Sequence, residues 1–400
     1  MTDSEPAIVI VGTFDSKPDE HRFLRKAIEE NGLPTRTMHV GTLAPSPFPV
    51  DLDLFREVLG SGPPPARDRA IAAIIHEARS VAKQWYGTGL IRGMISAGGG
   101  TGTHICTSIM RTLPLGIPKV MVSTVASRDM SQIVGTSDIA MIHSVVDLLG
   151  INSVSGGVLS RAAGAVCGMA RSRWRPQGRN KRVALTMFGF ITEAALGIRE
   201  ELERLGHEVI AFHANGTGGM AMEKLAAEGL FHGILDLATH EFADELTGGY
   251  CRGIGPERLR LPPGRNIPRL VIPGGLDCAV LEFTRKDIPS RYRGRKIFFY
   301  DFRSAVRLST RETTLIAQQV AERINPSPET VKVLIPMGGW SEADRQGGPL
   351  YDPQSARVFL ERLERDLDPR IEVRKVEYHI NEQDFAREAA RLMDQMLRET

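Results

Sequence analysis

The sequence predicts two open α/β domains, each built on a mostly parallel sheet, with a ligand cleft between them. Three observations carry the prediction. Short apolar runs alternate with amphipathic stretches of ten or more residues, the pattern of βαβ units. A basic run containing Pro176 and Gly178, RSRWRPQGRNKR from Arg171 to Arg182, separates two such series. The series also echo each other. Strand, GTFDSK, helix, glycine, strand, HVGT in the first half is answered by strand, FGFITEA, helix, glycine, strand, HANGTGG in the second. The boundaries expected are 1–172 for the first domain, 173–180 for a basic linker and 181–400 for the second domain.

In the first half, Ala7–Val11 reads as a strand and Pro18–Asn31 as a helix, with Pro18 at the first helical position and Gly32 past the end. Thr35–Val40 reads as a strand, Leu43–Arg69 as a Pro-rich insertion, Asp68–Trp85 as a helix and Leu90–Ser96 as a strand. A helix is expected from His104, a strand over Lys119–Ser123, and helices over Val145–Leu149 and Gly156–Met169, the last rich in small residues. In the second half Arg182–Met187 is a strand, Glu193–Leu205 a helix closed by Gly206, and Glu208–Phe212 a strand. Strands recur at Gly233–Asp236, Arg269–Ile272, Lys296–Tyr300, Lys332–Ile335 and Ile371–Val376. Helices are expected at Thr310–Ile324, Ser355–Leu363 and Glu382–Leu397.

Composition narrows the function classes. Four hundred residues suit two or three domains, and 42% hydrophobic with 24% charged residues is ordinary globular usage. A net charge of +2 gives no basic excess for a nucleic-acid partner, and the 171–182 run reads as a solvated linker. The four cysteines, Cys106, Cys167, Cys251 and Cys278, are far apart with no CxxC, against a zinc knuckle or a disulfide framework. No uncharged apolar stretch of about 18 residues occurs, so no membrane span is expected. The acidic first residues and the short apolar run after them read as a first strand rather than a signal peptide, which makes a cytoplasmic location the expectation.

The most informative stretch is GMISAGGGTGT, Gly93–Thr103. Glycines after a strand let the backbone approach a ligand, and amides at a following helix N-terminus face an anion. Thr101 and Thr103 add hydroxyl donors. There is no GxxxxGK[ST] and no GxGxxG spacing, so the same residues serve equally well as a tight turn without ligand. Ligands of open α/β folds sit at the carboxyl ends of the strands. That rule puts Gly12–Lys17, Gly98–Thr103 and Ser123–Asp129 on one rim, and Gly189–Thr192, His213–Gly219, Gly274–Asp277 and Gly338–Ser341 on the other.

GTFDSK, ISAGGGTGT and GTSDIAMIHSVVDLLGIN in the first half resemble the Tm-1-like ATP-binding family, as do HANGTGG, VIPGGLD, PMGGWSEADRQGGPLYDP and YHINEQDF in the second. The resemblance implies Rossmann-like domains, ATP bound by the first, and a dimer. It supplies no reaction. Two stretches depart from the family pattern: YDFRSAVRLST at Tyr300–Thr310 lacks a His-Asn pair, and His240–Glu241 replaces a Thr-Glu.

The expected cofactor is ATP, with Mg²⁺ as an optional companion. Gly12, Thr13, Gly98, Gly99, Gly100 and Gly102 would bring amides to the phosphates, with Thr101, Thr103 and Ser123 as hydroxyl donors. Lys17 would supply the cation, or else be a solvated turn lysine. Asp15 and Asp138 are the carboxylates for Mg²⁺, Asp15 serving equally as a turn residue. In the second domain, His240, Glu241, Asp277 and His379 are the candidate acid/base residues, with His213, Asn215 and Ser341 beside them. A metal held by His213, His240 and His379 lacks any HxH or HExxH spacing, and no metal site is expected. Three readings follow: a protein whose ATP is structural or regulatory; an enzyme, such as a hydrolase or lyase, on a small anionic metabolite in the cleft; or a protein-interaction module.

Overall fold

The computed structural model describes residues 5–60, 65–174 and 181–400. The chain divides into two compact units, Met1–Pro176 and Gln177–Thr400. Most of the basic linker, residues 175–180, lies outside the described residues, as does Pro63 of the Pro-rich insertion.

In the first unit, six strands form one parallel sheet: β1 (Ala7–Gly12), β2 (Thr35–His39), β3 (Leu52–Asp53), β4 (Ile91–Gly98), β5 (Lys119–Ser123) and β6 (Ala140–His143). Their order is β3-β2-β1-β4-β5-β6, so the chain reverses its direction of travel between β1 and β4. β1 is buried along its whole length because the sheet is covered on both sides. Ile8 and Ile10 face a core shared with α1 (Pro18–Glu30) and α5 (Ser153–Arg171). Val9 and Val11 face the core of α2 (Arg67–Gly87) and α3 (Gly100–Met110). A short α4 (Ser131–Val134) precedes β6.

Two local expectations fail here. α3 begins at Gly100 rather than at His104. Glycine costs a helix about 1 kcal/mol per residue, which argued for the later start. The contact with the strand outweighs that cost: a Cβ on Gly98 would lie 3.2 Å from Gly102 Cα, so strand end and helix start pack backbone to backbone. Residues 145–149 are not helical. Val145 has φ +67°, outside the helical region, and the Ser144 hydroxyl donates to the Val146 carbonyl at 2.5 Å.

The second unit has a parallel sheet in the order β15-β14-β10-β9-β7-β8. Its strands are β7 (Arg182–Met187), β8 (Glu208–His213), β9 (Gly233–Ala238), β10 (Arg269–Gly274), β14 (Val331–Pro336) and β15 (Glu372–Val376). The reversal falls between β7 and β9. The helices are α6 (Thr192–Arg204), α7 (Thr217–Ala227), α8 (Glu241–Thr247), α9 (Thr310–Ile324), α10 (Pro353–Asp366) and α11 (Gln383–Glu399). A small antiparallel sheet, β11 (Cys278–Leu281), β13 (Ser304–Arg307) and β12 (Ile297–Phe299), lies between β10 and α9 in sequence. The strand expected at Lys296–Tyr300 belongs to this sheet and not to the parallel one. Both units are therefore α/β domains with mostly parallel sheets. No helix among the described residues is long and apolar enough to cross a membrane.

Candidate functional site

In the first domain, β1 and β4 end side by side at the reversal, where open α/β sheets leave a crevice. After β1, the Thr13 carbonyl accepts the Ser16 and Lys17 amides at 3.1 and 3.0 Å, and Pro18 starts α1. After β4, Gly99 caps α3. The Thr103 amide closes onto the Gly99 carbonyl at 2.8 Å, so the amides of Gly100, Thr101 and Gly102 have no acceptor inside the helix. Neither α1 nor α3 has a side-chain cap. Both helix starts border one pocket of about 230 Å³, lined by the Thr13–Lys17 turn, Thr42, Leu43, Arg67 and Gly99–Gly102.

Two cations reach this pocket. Lys17 donates its ammonium to the Leu148 carbonyl. Arg67, at the start of α2, donates to Thr101 Oγ1 at 3.3 Å. Asp15 Oδ2 accepts the Leu43 amide at 2.9 Å, while Oδ1 is buried with no hydrogen-bond partner among the described residues.

Several expected ligand residues have other work. Gly12 makes room for an imidazole: a Cβ there would lie 2.1 Å from His21 Nε2. His21 Nδ1 meets the Lys17 carbonyl at 2.7 Å, its ring lies against Phe14, and burial pushes its pKa down to about 4. Gly98 serves the strand–helix contact. Thr103 and Ser123 are fully buried and pair their hydroxyls at 2.7 Å, which withdraws both from a ligand. Asp138 precedes β6, and Lys119 opens β5, so both lie at the amino ends of the strands, away from the glycine turn. There Asp138 accepts the Lys119 ammonium at 2.6 Å and the Gly116 amide at 2.9 Å. It cannot share a Mg²⁺ with Asp15. Gly99, Gly100, Thr101, Gly102, Thr13, Asp15 and Lys17 do converge. Arg67 lies within the Pro-rich stretch expected as an insertion, Leu43–Arg69, where nothing in the local pattern ties it to the glycines.

In the second domain the candidates separate into three groups. Glu241 is wholly buried, with Arg258 on Oε1 and the Gly216 amide on Oε2 at 3.3 Å. Arg258 also binds Asp236 at 2.5 Å and Glu223 at 3.3 Å, and Arg269 binds Glu223 at 2.6 Å. This five-charge network occupies the expected general base, and burial raises its pKa. Its sequence signal is charge inside apolar strands: Asp236 in GILDLA and Arg269 in RLVIPG.

Asp277 is also buried; it accepts the Ser341 hydroxyl at 2.8 Å, and burial raises its pKa. Beside it, Arg307 pairs with Asp344 at 2.7 Å, and burial pushes the Asp344 carboxyl up to about 7. His379 Nε2 donates to the Ser341 carbonyl at 3.0 Å while its Nδ1 accepts the Asn381 amide, so among the described residues no imidazole hydrogen-bonds to the Ser341 hydroxyl and no nucleophilic triad forms. His379 does line an open cavity of about 570 Å³ with Glu193, Glu342, Glu382, Arg345 and Tyr351.

His240 follows β9 and is buried with its ring stacked on Phe188 at 3.8 Å. Neither ring nitrogen has a hydrogen-bond partner among the described residues, and burial lowers its pKa to about 3. His213 ends β8, and Asn215 Oδ1 accepts the Gly218 amide at the start of α7.

Two family models match the chain. Residues 6–175 match the N-terminal domain, and residues 180–397 the C-terminal domain, of Uncharacterised protein family (UPF0261). A UPF0261 protein of Clostridium tetani is 33% identical over 402 residues, 98% of each chain. One of Mesorhizobium japonicum is 36% identical over 398 residues, 97% of this chain and 98% of its own. The ToMV susceptible protein tm-1(GCR26) of Solanum lycopersicum is 32% identical over 415 residues, 96% of this chain and 55% of its own length.

Proposed function

We propose, starting from the fact that this chain belongs to the UPF0261 family in both its halves, that it is a nucleotide-binding protein that holds ATP by its phosphates in the first domain. One observation carries the reading: two helix starts without side-chain caps, α1 and α3, border the same pocket at the sheet reversal, with Lys17 and Arg67 beside them. Free amides and the positive ends of two helix dipoles suit a polyanion, and both cations add to the field. The pocket of about 230 Å³ is smaller than a whole-ligand site, so it takes the phosphates and leaves the base and ribose at the rim. Asp15, whose Oδ1 lacks a partner among the described residues, is the carboxylate that would meet Mg²⁺ through water. Asp138, Thr103 and Ser123 take no part.

The cavity at His379 fits an anionic metabolite poorly. Glu193, Glu342 and Glu382 stand there against Arg345, so the anion-binding surface is the one in the first domain. Self-association is a second reading with its own observation. Val145, Leu149, Ile151 and Val154 are exposed together on one loop and helix start, an apolar patch that a second copy would cover.

Calorimetric titration with ATP, ADP and AMP tests the nucleotide reading. Affinity should fall as phosphates are removed. Gly99 has room for a side chain, since its Cβ would meet only Thr124 Oγ1 at 3.7 Å, so Gly99→Val should fold and weaken ATP binding at least about tenfold, or 1.4 kcal/mol. Arg67→Ala and Lys17→Ala should each weaken it as well. If Gly99→Val binds ATP as the wild type does, the phosphates lie elsewhere.

A further inference from the structure

We infer that the second domain holds one divalent transition-metal ion, Zn²⁺ foremost, between His240, Asp244 and Cys251. One donor atom from each residue lies within 4.8 Å of the others, and all three side chains are buried. The inference is independent of nucleotide binding in the first domain.

The local fold brings the three together. His240 immediately precedes α8 and Asp244 lies one turn along, so the spacing of four puts both on one face. Gly248, at φ +73°, ends α8 in the left-handed conformation that favours glycine. The chain then folds back over Asp244: the Gly249 amide donates to the Asp244 carbonyl at 2.7 Å, and the Cys251 amide to Asp244 Oδ2 at 2.8 Å. A Cβ on Gly249 would sit 2.6 Å from Asp244 Cγ, so only glycine allows this close return.

An independent observation points to a missing partner. Buried imidazoles ordinarily satisfy at least one ring nitrogen, yet both nitrogens of His240 lack a hydrogen-bond partner among the described residues. Phe188 stacks on the ring and fixes its plane, and the metal would occupy the nitrogen that faces Asp244 and Cys251. The Asp244 carboxylate is already oriented, with Oδ1 accepting the Val280 amide at 2.7 Å, and the hydrogen bond it takes from the Cys251 side chain is released to the ion when the thiol loses its proton. Nitrogen, oxygen and sulfur donors select Zn²⁺ or a similar borderline ion over Mg²⁺ or Ca²⁺, which want oxygen alone. Bonds of about 2.0–2.3 Å ask for donors roughly 3.5 Å apart, so the group tightens by roughly an ångström around the ion. Three protein donors leave the fourth tetrahedral position to a water molecule. On binding, the Cys251 thiol becomes a thiolate ligand and its proton leaves to solvent.

The test is titration of chelator-treated full-length protein with Co²⁺, followed by Zn²⁺ competition. The wild type should take up one Co²⁺ per chain and show near-ultraviolet thiolate-to-cobalt absorption. Cys251→Ser should lose that absorption and bind Zn²⁺ at least about tenfold more weakly, and His240→Gln should weaken Zn²⁺ by a similar factor. Cys278→Ser, which removes a different buried thiol, should keep the absorption. Circular dichroism checks that each variant is folded; if the variants unfold, the wild-type titration still decides. A wild type that takes up no stoichiometric Co²⁺ or Zn²⁺ overturns the inference. So does thiolate absorption that persists in Cys251→Ser, or Zn²⁺ affinity unchanged in both variants.

Discussion

His21 gives the first domain a built-in sensitivity to acid. Burial lowers its pKa from the ordinary 6.5 to about 4, with the Lys17 carbonyl on one ring nitrogen and Phe14, His39, Asp15 and Lys17 around it. The unfolded chain binds a proton there below pH 6.5 while the folded chain does not. Stability contributed by the neutral ring is therefore present above pH 6.5 and lost as pH falls toward 4, by up to about 3 kcal/mol. Urea denaturation at pH 7.5, 6 and 5 should show this loss, and His21→Gln should flatten it. Gly12→Ala should destabilise by about 1–3 kcal/mol, because its methyl would land on the imidazole, and His21→Ala in the same chain should relieve part of the cost. A harsher penalty is expected in the second domain. Arg258→Met would leave Glu223 and Asp236 to Arg269 and take from Glu241 its cation, and removal of one partner from such a buried set costs about 3–5 kcal/mol. Denaturant midpoints measure all three.

At the level of elements, hydrophobic periodicity exposed the strands that are buried on both faces. AIVIV, VMV and LVI are continuous apolar runs, and they lie in β1, β5 and β10. Short strands with mixed sequence, such as SAVR in β13 and AMIH in β6, carry no such signal. α3 starts earlier than glycine propensity predicts, because propensity speaks of the isolated helix whereas the Gly98–Gly102 contact is tertiary. Gly98→Ala should accordingly destabilise the first domain by about 1–3 kcal/mol through overpacking. α9 starts at Thr310 as expected, and the structure shows a capping box there. Ser309 accepts the Glu312 amide at 3.3 Å and Glu312 reaches back to the Ser309 amide at 2.7 Å, so Ser309→Ala should cost about 1 kcal/mol in thermal or chemical denaturation. The candidate sites divide along the same line. The glycine turn announced itself by composition, whereas Arg67 and the Cys251 return to Asp244 depend on how distant or turning segments come together.

For the whole molecule, each unit has its own sheet and its own apolar cores, which is what independent unfolding requires. Calorimetric scans should therefore resolve two transitions. ATP should raise only the transition of the first domain, by about 2.7 kcal/mol at a hundredfold excess over Kd, and Zn²⁺ only that of the second. Light scattering on the wild type and on Leu149→Asp would show whether the patch at Val145–Val154 joins two copies. The network around Arg258 has a kinetic consequence as well. Its members come from α7, β9, α8, β10 and the segment before β10. No one of these elements can leave without stranding opposite charge in a dry interior, so they should open as one cooperative block. Such a block resists slow leakage more than it adds to equilibrium stability. Its backbone amides should therefore exchange with deuterium together and last, long after those of the exposed rim have gone.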